Sequence, residues 1–245
     1  KETVLAFDKF CGHCGKKITQ PKEEREKGSL QLVIIFYLTF LVYSIVSFVL
    51  FSESDSLGVE IALEAVFIML TLLFTFFDVK RIYALYNFRL VNWKNVLFSL
   101  VFPVFTAFVV YYAVEWLNLG LFEQTDNVFV EYAPYANTVF WVLIFYTVIP
   151  PIFEELAFRG FLFNQLSEIA SPQVTILATA FIFALVHFSL VSILWIFPFG
   201  IMLGYLRYKY KTLWLGMIIH FIHNFLVIAL DYYYYHQDEF QFLEF

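Results

Sequence analysis

Long apolar runs, separated by short polar stretches, occupy most of this chain after a polar start over residues 1–29. Seven such runs can be distinguished, at residues 30–52, 59–78, 96–117, 136–166, 173–189, 191–207 and 212–232. An α-helix needs about 20 apolar residues to cross the hydrocarbon core of a bilayer. The pattern therefore predicts an all-α fold, a polytopic transmembrane helix bundle of about seven membrane segments. It divides the chain into a cytosolic tail over residues 1–29 and a bundle over residues 30–245.

Three charged residues interrupt the fourth apolar run, at Glu154, Glu155 and Arg159. A charge at the centre of a bilayer costs at least about 2.5–3.5 kcal/mol, so such residues usually have a function. In a helix Glu155 and Arg159 are four residues apart and can pair, whereas Glu154 is turned about 100° away from that pair. The preceding Pro150-Pro151 removes backbone donors, which predicts a break or a kink in the helix at this point.

Composition and charge placement support a membrane protein. Hydrophobic residues make up 61% of the chain, against roughly 45–50% in soluble domains. Apart from Arg159, the basic residues precede the first run or lie in the loops after the second and sixth. By the positive-inside rule, the N-terminus is cytosolic and the C-terminus lies on the outer side of the plasma membrane. The thiol pair in the tail and the single membrane domain favour a bacterial protein. The lipid bilayer is an expected partner, and nucleic acid is not.

The tail contains Cys11 and Cys14, the two cysteines of the chain, in a Cys-x-x-Cys-Gly stretch that resembles one knuckle of a zinc ribbon. A structural zinc site normally has four ligands, and this half knuckle supplies two. Three interpretations stay open: a knuckle without metal, a structural zinc shared with another chain, and a redox pair. A shared zinc would make the chain a homodimer through its N-terminal knuckle, or join it to another partner.

Histidines and an asparagine interrupt two further apolar runs. His187 ends the fifth run, and His220 and Asn224 lie one helical turn apart in the seventh. At 1.5 Å per residue, Glu154, His187 and His220 lie about 18, 22 and 12 Å from the cytosolic ends of their runs. All three side chains are thus expected to meet near the middle of the membrane. Glu60 and Glu64, near the outer end of the second run, are expected at the interface or in a water-filled crevice.

In order, the stretches Glu154-Glu155-x-x-x-Arg159, Phe183-x-x-x-His187 and His220-x-x-x-Asn224 resemble the three motifs of the CPBP family. This family comprises the CAAX-processing and bacteriocin-processing intramembrane endopeptidases, formerly called Abi. The resemblance covers about residues 145–230 and leaves the first three runs unmatched.

The resemblance implies a role for each of these polar residues. Glu154 would be the general base that activates a water, and His187 would orient that water. His220 and Asn224 would donate hydrogen bonds to the oxyanion, and Glu155 and Arg159 would form a supporting pair. No cofactor would then be required, although Glu154, His187 and His220 also suit a catalytic zinc site, which is the alternative.

This pattern of buried polar residues is compatible with three functions. The leading hypothesis is a CPBP-type glutamate intramembrane protease that cleaves a membrane-associated or leader peptide, with a cavity open to the cytosol that admits water. The alternative is a non-catalytic peptide-binding or immunity-type membrane protein that uses the same cavity. A transporter with the same buried charges is the third, and the chain lacks the paired interrupted halves common in such folds.

Overall fold

The computed structural model describes residues 22–53, 56–123 and 127–236, and throughout these ranges the chain is all-α, without strands. Cys11 and Cys14, with the predicted zinc knuckle, lie outside them. The helices are α1 (Lys22–Glu53), α2 (Leu57–Phe77), α3 (Val79–Tyr83), α4 (Trp93–Phe122), α5 (Val128–Tyr132), α6 (Thr138–Ile169), α7 (Pro172–Leu185), α8 (Leu190–Tyr210) and α9 (Trp214–Tyr235).

Six of these helices are long and apolar enough to cross a membrane: α1, α2, α4, α6, α8 and α9. The fifth predicted segment, residues 173–189, corresponds to α7, which has 14 residues and spans about 21 Å. The expected count of about seven segments is therefore not confirmed, since the described residues form six candidate spans and one short apolar helix. A turn with Phe188 in the left-handed region, at φ 50°, separates α7 from α8.

The bundle has two chemically different ends. We call the end where α2 finishes and α9 starts the basic end, because the short helix α3 and the last turn of α8 carry Lys80, Arg81, Arg207 and Lys209 there. We call the opposite end, where α2 starts and α9 finishes, the far end.

Helix α6 stays helical through Pro150-Pro151 and does not end there, so the break that the sequence suggested is not seen. Instead, the backbone widens into π-helical turns on both sides of the prolines, at Leu143–Val148 and Glu155–Leu162. Single π-helical turns inside α-helices often occur at functional sites, because they change the direction in which neighbouring side chains point.

Aromatic side chains fill the bundle between α1, α2 and the second half of α6. The fully buried rings of Phe36, Phe40, Phe158 and Phe161 pack around Phe74, with neighbouring centroids 4.4–6.0 Å apart. Buried aromatic pairs of this kind add about 0.5–1.5 kcal/mol each beyond their area. This core lies between Glu154 and the basic end, so it fills the bundle on that side of Glu154. We call this packed region the floor of the site.

A network of polar side chains joins three elements at the basic end. The carboxylate of Asp78, which lies between α2 and α3, accepts a hydrogen bond of 2.8 Å from Asn164 of α6 and lies 3.5 Å from the Arg81 Nε. Arg207 of α8 donates to the Asn164 side chain at 2.8 Å and to the Arg159 carbonyl at 3.0 Å. These bonds fix the positions of α6 and α8 relative to each other.

Candidate active site

Glu154 ends the α-helical segment Ile149–Glu154 and points away from the supporting ion pair, towards α7 and α9. Its Oε1 lies 4.0 Å from the His187 Nε2, and its Oε2 lies 3.8 Å from the His220 Nε2. The Glu154 side chain is 17% exposed. The structure therefore brings the carboxylate and both imidazoles together, as their spacing in the sequence predicted.

Glu155 points in the other direction and pairs with Arg159, as predicted. The Arg159 Nη1 donates to the Glu155 Oε1 at 2.9 Å, and both side chains are 1% exposed. The Arg159 guanidinium also lies 4.2 Å from the ring centroid of Phe183 and donates to the Gly200 carbonyl at 3.4 Å. This buried pair connects α6 to α7 and α8 directly beneath Glu154.

His187 lies just beyond α7, and its ring is held by the backbone of that helix. Its Nδ1 is 2.7 Å from the Phe183 carbonyl oxygen. Because a carbonyl oxygen can only accept, Nδ1 carries the proton and the Nε2 of a neutral ring presents a lone pair towards Glu154. The Phe183 ring supports the imidazole edge-to-face, with centroids 4.8 Å apart.

His220 lies between the two glutamates. Its Nε2 faces Glu154 at 3.8 Å and its Nδ1 faces the Glu155 Oε1 at 3.5 Å, while the side chain is 6% exposed. The Nδ1 makes no hydrogen bond. Phe183 and Phe199 hold the imidazole edge-on, with centroids 6.3 and 5.6 Å away. A ring enclosed in this way has a fixed direction, which a donor in an active site requires.

Asn224, one turn beyond His220, donates a hydrogen bond of 2.9 Å to the Tyr146 carbonyl on α6. In a regular helix that carbonyl would receive an N–H from residue 150, or from residue 151 in a π turn. Both positions are proline, which has no N–H. The Asn224 amide thus replaces the backbone donor that the two prolines remove, a contact that the sequence did not predict.

Two cavities adjoin at His187, and the inner one reaches Glu154. The inner cavity, of about 140 Å³, is lined by Glu154, His187 and Pro150 among others. The outer cavity, of about 380 Å³, is lined by His187, Glu60, Tyr146 and residues of α1. Tyr43, Ser44, Glu64, Val186 and His187 line both cavities. The two cavities are therefore direct neighbours, and together they extend from Glu154 towards the far end, whereas the sequence led us to expect a cavity open to the cytosol.

Residues 136–226 match a protein-family model described as "Type II CAAX prenyl endopeptidase Rce1-like". The chain carries an Rce1-like domain. The match is consistent with the CPBP family, so the resemblance of the three motifs is confirmed, and all of the motif residues fall inside it. No match was found among curated proteins or among solved structures.

The Rce1-like domain runs from α6 into the first half of α9 and supplies one side of the site, while α1 and α2, which lie outside the match, supply the other side. Sequence reasoning assigned no role to Tyr43, Ser44 and Ser47 of α1. Their spacing of three to four residues in an otherwise apolar helix was the available signal. Glu60 and Glu64 were expected at the interface or in a water-filled crevice, and the structure shows both lining the outer cavity.

Within the part of the chain that the structure describes, no three His, Cys, Asp or Glu side chains form a group suited to a metal ion. In the alternative zinc site, the Glu154 carboxylate lies 4.0 Å from the His187 Nε2 and 3.8 Å from the His220 Nε2. A third histidine of the Rce1-like domain, His223, points away from the site. It stacks on Trp195, with centroids 5.5 Å apart, and its Nδ1 is 3.3 Å from the Thr106 hydroxyl.

Proposed function

We propose that this chain is an intramembrane endopeptidase in which Glu154 activates a water molecule to hydrolyse a peptide bond. The observation that carries the proposal is the position of the Glu154 carboxylate, which faces two imidazoles at 4.0 and 3.8 Å at the end of a cavity. The Rce1-like match, to a family of proteases, supports hydrolysis as the reaction. Peptide hydrolysis needs a nucleophilic water and donors aimed at the developing oxyanion.

The gap between Glu154 and His187 suits one bridging water. The Glu154 Oε1 and the His187 Nε2 are both acceptors and lie 4.0 Å apart. For a water oxygen about 2.8 Å from each atom, the angle between the directions to Oε1 and Nε2 is roughly 90°. This is close to the angle between the two O–H bonds of water. One water can therefore donate to both groups, which leaves its lone pairs free to attack a carbonyl carbon.

Glu154 can both accept and return the proton that this reaction transfers. Its carboxylate takes one proton from the water as the oxygen adds to the carbonyl carbon, and a tetrahedral oxyanion forms. His220 and Asn224 are the candidates for stabilising this oxyanion, with His220 donating through Nε2 and Asn224 through the amide hydrogen that Tyr146 does not use. The carbon–nitrogen bond then breaks, and Glu154 returns the proton to the leaving amine.

We further propose that the substrate is a membrane-associated or leader peptide and that catalysis needs no metal. A zinc ion held by Glu154, His187 and His220 would instead leave Glu154 unable to act as a base. Treatment of the purified protein with a strong chelator distinguishes these mechanisms. Cleavage that persists supports the glutamate mechanism, and cleavage that is lost and then restored by zinc supports the metal.

The test of the proposal is the Glu154→Gln variant, which keeps the shape of the side chain and removes its basicity. Loss of a general base lowers rates by about 100–10,000-fold. Membranes from cells that express the native chain should contain new peptide N-termini, identified by mass spectrometry, that the variant does not produce. Glu24→Gln, at an exposed position near the start of α1, is the matched control and should produce the same termini as the native chain. Equal sets of termini from the native chain and Glu154→Gln, with both proteins folded, would refute the proposal and leave peptide capture without cleavage as the alternative.

A further inference from the structure

We propose that the substrate peptide reaches Glu154 from the outer, non-cytosolic side of the membrane, through the cavity that α1 and α2 share with the Rce1-like domain. The proposal rests on the proposed function. It narrows the substrate class to peptides that have a segment exposed on the outer face, such as part of an exported or membrane-inserted chain. It follows from three features of the described structure: a filled basic end, a polar cavity leading to the far end, and the distribution of basic residues.

The bundle is filled between Glu154 and the basic end. Buried Phe158, Phe161 and Leu162 of α6 pack there against Leu213 and Met217 at the start of α9. The Leu213 amide also bonds to the Leu85 carbonyl at 3.2 Å, which joins the start of α9 to the segment after α3.

The buried Glu155–Arg159 pair adds a second layer to this floor. On α9 the backbone approaches the pair so closely that a Cβ added at Gly216 would fall 2.5 Å from the Glu155 Oε2. A peptide coming from the basic end would have to displace both the ion pair and the apolar core.

The cavity above Glu154 has serine and glutamate side chains among the apolar residues of its walls, and it leads to the far end. Ser44 and Ser47 lie near the end of α1, Glu60 lies in the first turn of α2, and Glu64 follows one turn deeper. Ionisable side chains inside a membrane protein face the bundle interior or water, so these walls indicate an aqueous passage. Its outer part, of about 380 Å³, falls in the range of roughly 300–1,000 Å³ that is usual for ligand pockets.

The distribution of basic residues assigns the far end to the outer side. The connections at that end, residues 53–58 and 118–135, and the chain after residue 231 contain no lysine or arginine. The basic end has, by contrast, Lys80, Arg81, Arg89, Lys94, Arg207, Lys209 and Lys211, besides Lys22, Arg25 and Lys27 at the start of α1. The excess of lysine and arginine on the cytosolic side sets the orientation of polytopic proteins, which places the opening of the cavity outside.

Cysteine labelling in intact cells tests this route. The native cysteines, Cys11 and Cys14, are first replaced by serine. Ser44→Cys then reports on the cavity, since Ser44 lines both of its parts. Ser56→Cys, exposed at the start of α2, marks the far end, and Tyr83→Cys, 78% exposed, marks the basic end. A membrane-impermeant maleimide is added before or after the cells are permeabilised.

We expect Ser44→Cys and Ser56→Cys to react in intact cells and Tyr83→Cys to react only after permeabilisation. The proposal fails if Ser44→Cys reacts only when Tyr83→Cys does, if it reacts in neither state, or if Tyr83→Cys is the marker that reacts from outside. The same labelling in Glu154→Gln separates the route from the chemistry, because access of the maleimide requires no cleavage. Suppose that Glu154→Gln loses cleavage and that Ser44→Cys reacts only after permeabilisation. The route would then be refuted, and the proposed protease function would stand.

Discussion

Two adjacent glutamates have different surroundings because one residue along a helix changes the direction of a side chain by about 100°. Glu154 faces the cavity and the two histidines, whereas Glu155 faces Arg159 and is 1% exposed. Removing one partner of such a buried pair typically costs about 3–5 kcal/mol. At the scale of single residues, the site therefore combines a carboxylate in contact with the cavity and a neighbouring carboxylate that fixes its position.

Gly216 provides a direct test of that positioning. A Cβ at this position would fall 2.5 Å from the Glu155 Oε2, and Glu155 cannot move away freely because Arg159 holds it. We expect Gly216→Ala to destabilise the protein by about 1–3 kcal/mol, as overpacking does, and to lower the rate of cleavage. Thermal unfolding in detergent and the yield of new peptide termini measure the two effects.

The matched control is Gly120→Ala in the exposed last turn of α4, where an added Cβ meets no atom within 4 Å. It should leave cleavage unchanged and stabilise the helix slightly, because alanine is favoured over glycine in helices by about 1 kcal/mol. Equal unfolding temperatures and equal cleavage for both alanine variants would contradict the role of Gly216.

At the scale of elements, α6 depends on α9 for a hydrogen bond that its own backbone cannot make. Pro150 and Pro151 leave the Tyr146 carbonyl without a backbone donor, and Asn224 supplies one at 2.9 Å. A buried carbonyl that loses its partner costs about 1–3 kcal/mol. This bond lies two turns from Glu154 and joins the helix that carries the carboxylate to the helix that carries His220.

Asn224 thus has a structural contact as well as a proposed chemical role, and a rescue experiment separates the two. We expect Asn224→Ala to lower the unfolding temperature and to abolish cleavage. In Asn224→Ala combined with Pro150→Ala, the restored N–H of residue 150 can reach the Tyr146 carbonyl and should recover part of the stability. If Asn224 also stabilises the oxyanion, cleavage stays lost in the double variant. Recovery of both properties would assign Asn224 a structural role alone.

The sequence predicted which helices carry the motif residues better than it predicted the backbone geometry and the ends of those helices. The spacing of Glu155 and Arg159, and the rises that place Glu154, His187 and His220 at one depth, are local helical geometry and were sufficient to predict the cluster. The π-helical turns of α6 were beyond that reasoning, because they depend on how the neighbouring helices satisfy the backbone around Pro150-Pro151. The early end of α7 was missed for a similar reason, since the apolar pattern continues past Leu185 while the chain turns at Phe188.

At the scale of the whole molecule, the polar network around Asp78 fixes the basic end. Burial raises the pKa of Asp78 above its ordinary range, although the hydrogen bond from Asn164 and the charge of Arg81 act in the opposite direction. The folded protein therefore holds this proton more tightly than the unfolded chain does. Protonated Asp78 contributes stability below its ordinary pKa of about 3.9, and that contribution is lost as the pH rises through the higher pKa of the folded state.

Asp78→Asn removes this titration and allows the prediction to be checked. The unfolding temperature of the native chain, relative to that of the variant, should fall as the pH rises above about 4 and through the raised pKa of Asp78 in the folded state. Thermal unfolding of both proteins over that range gives the difference, and Glu24→Gln, which changes an exposed carboxylate, serves as the control. A difference that stays constant with pH would show that the proton on Asp78 is not coupled to folding.

The short helix α7 also has a consequence for the surrounding lipid. Its 14 residues span about 21 Å of a hydrocarbon layer that is about 30 Å thick. At the turn at Phe188, α7 therefore ends about 9 Å short of a full crossing, a mismatch that a bilayer can meet by thinning locally. Local thinning here would bring the headgroups closer to His187 and, in the proposed protease, would shorten the distance that a scissile bond travels out of water.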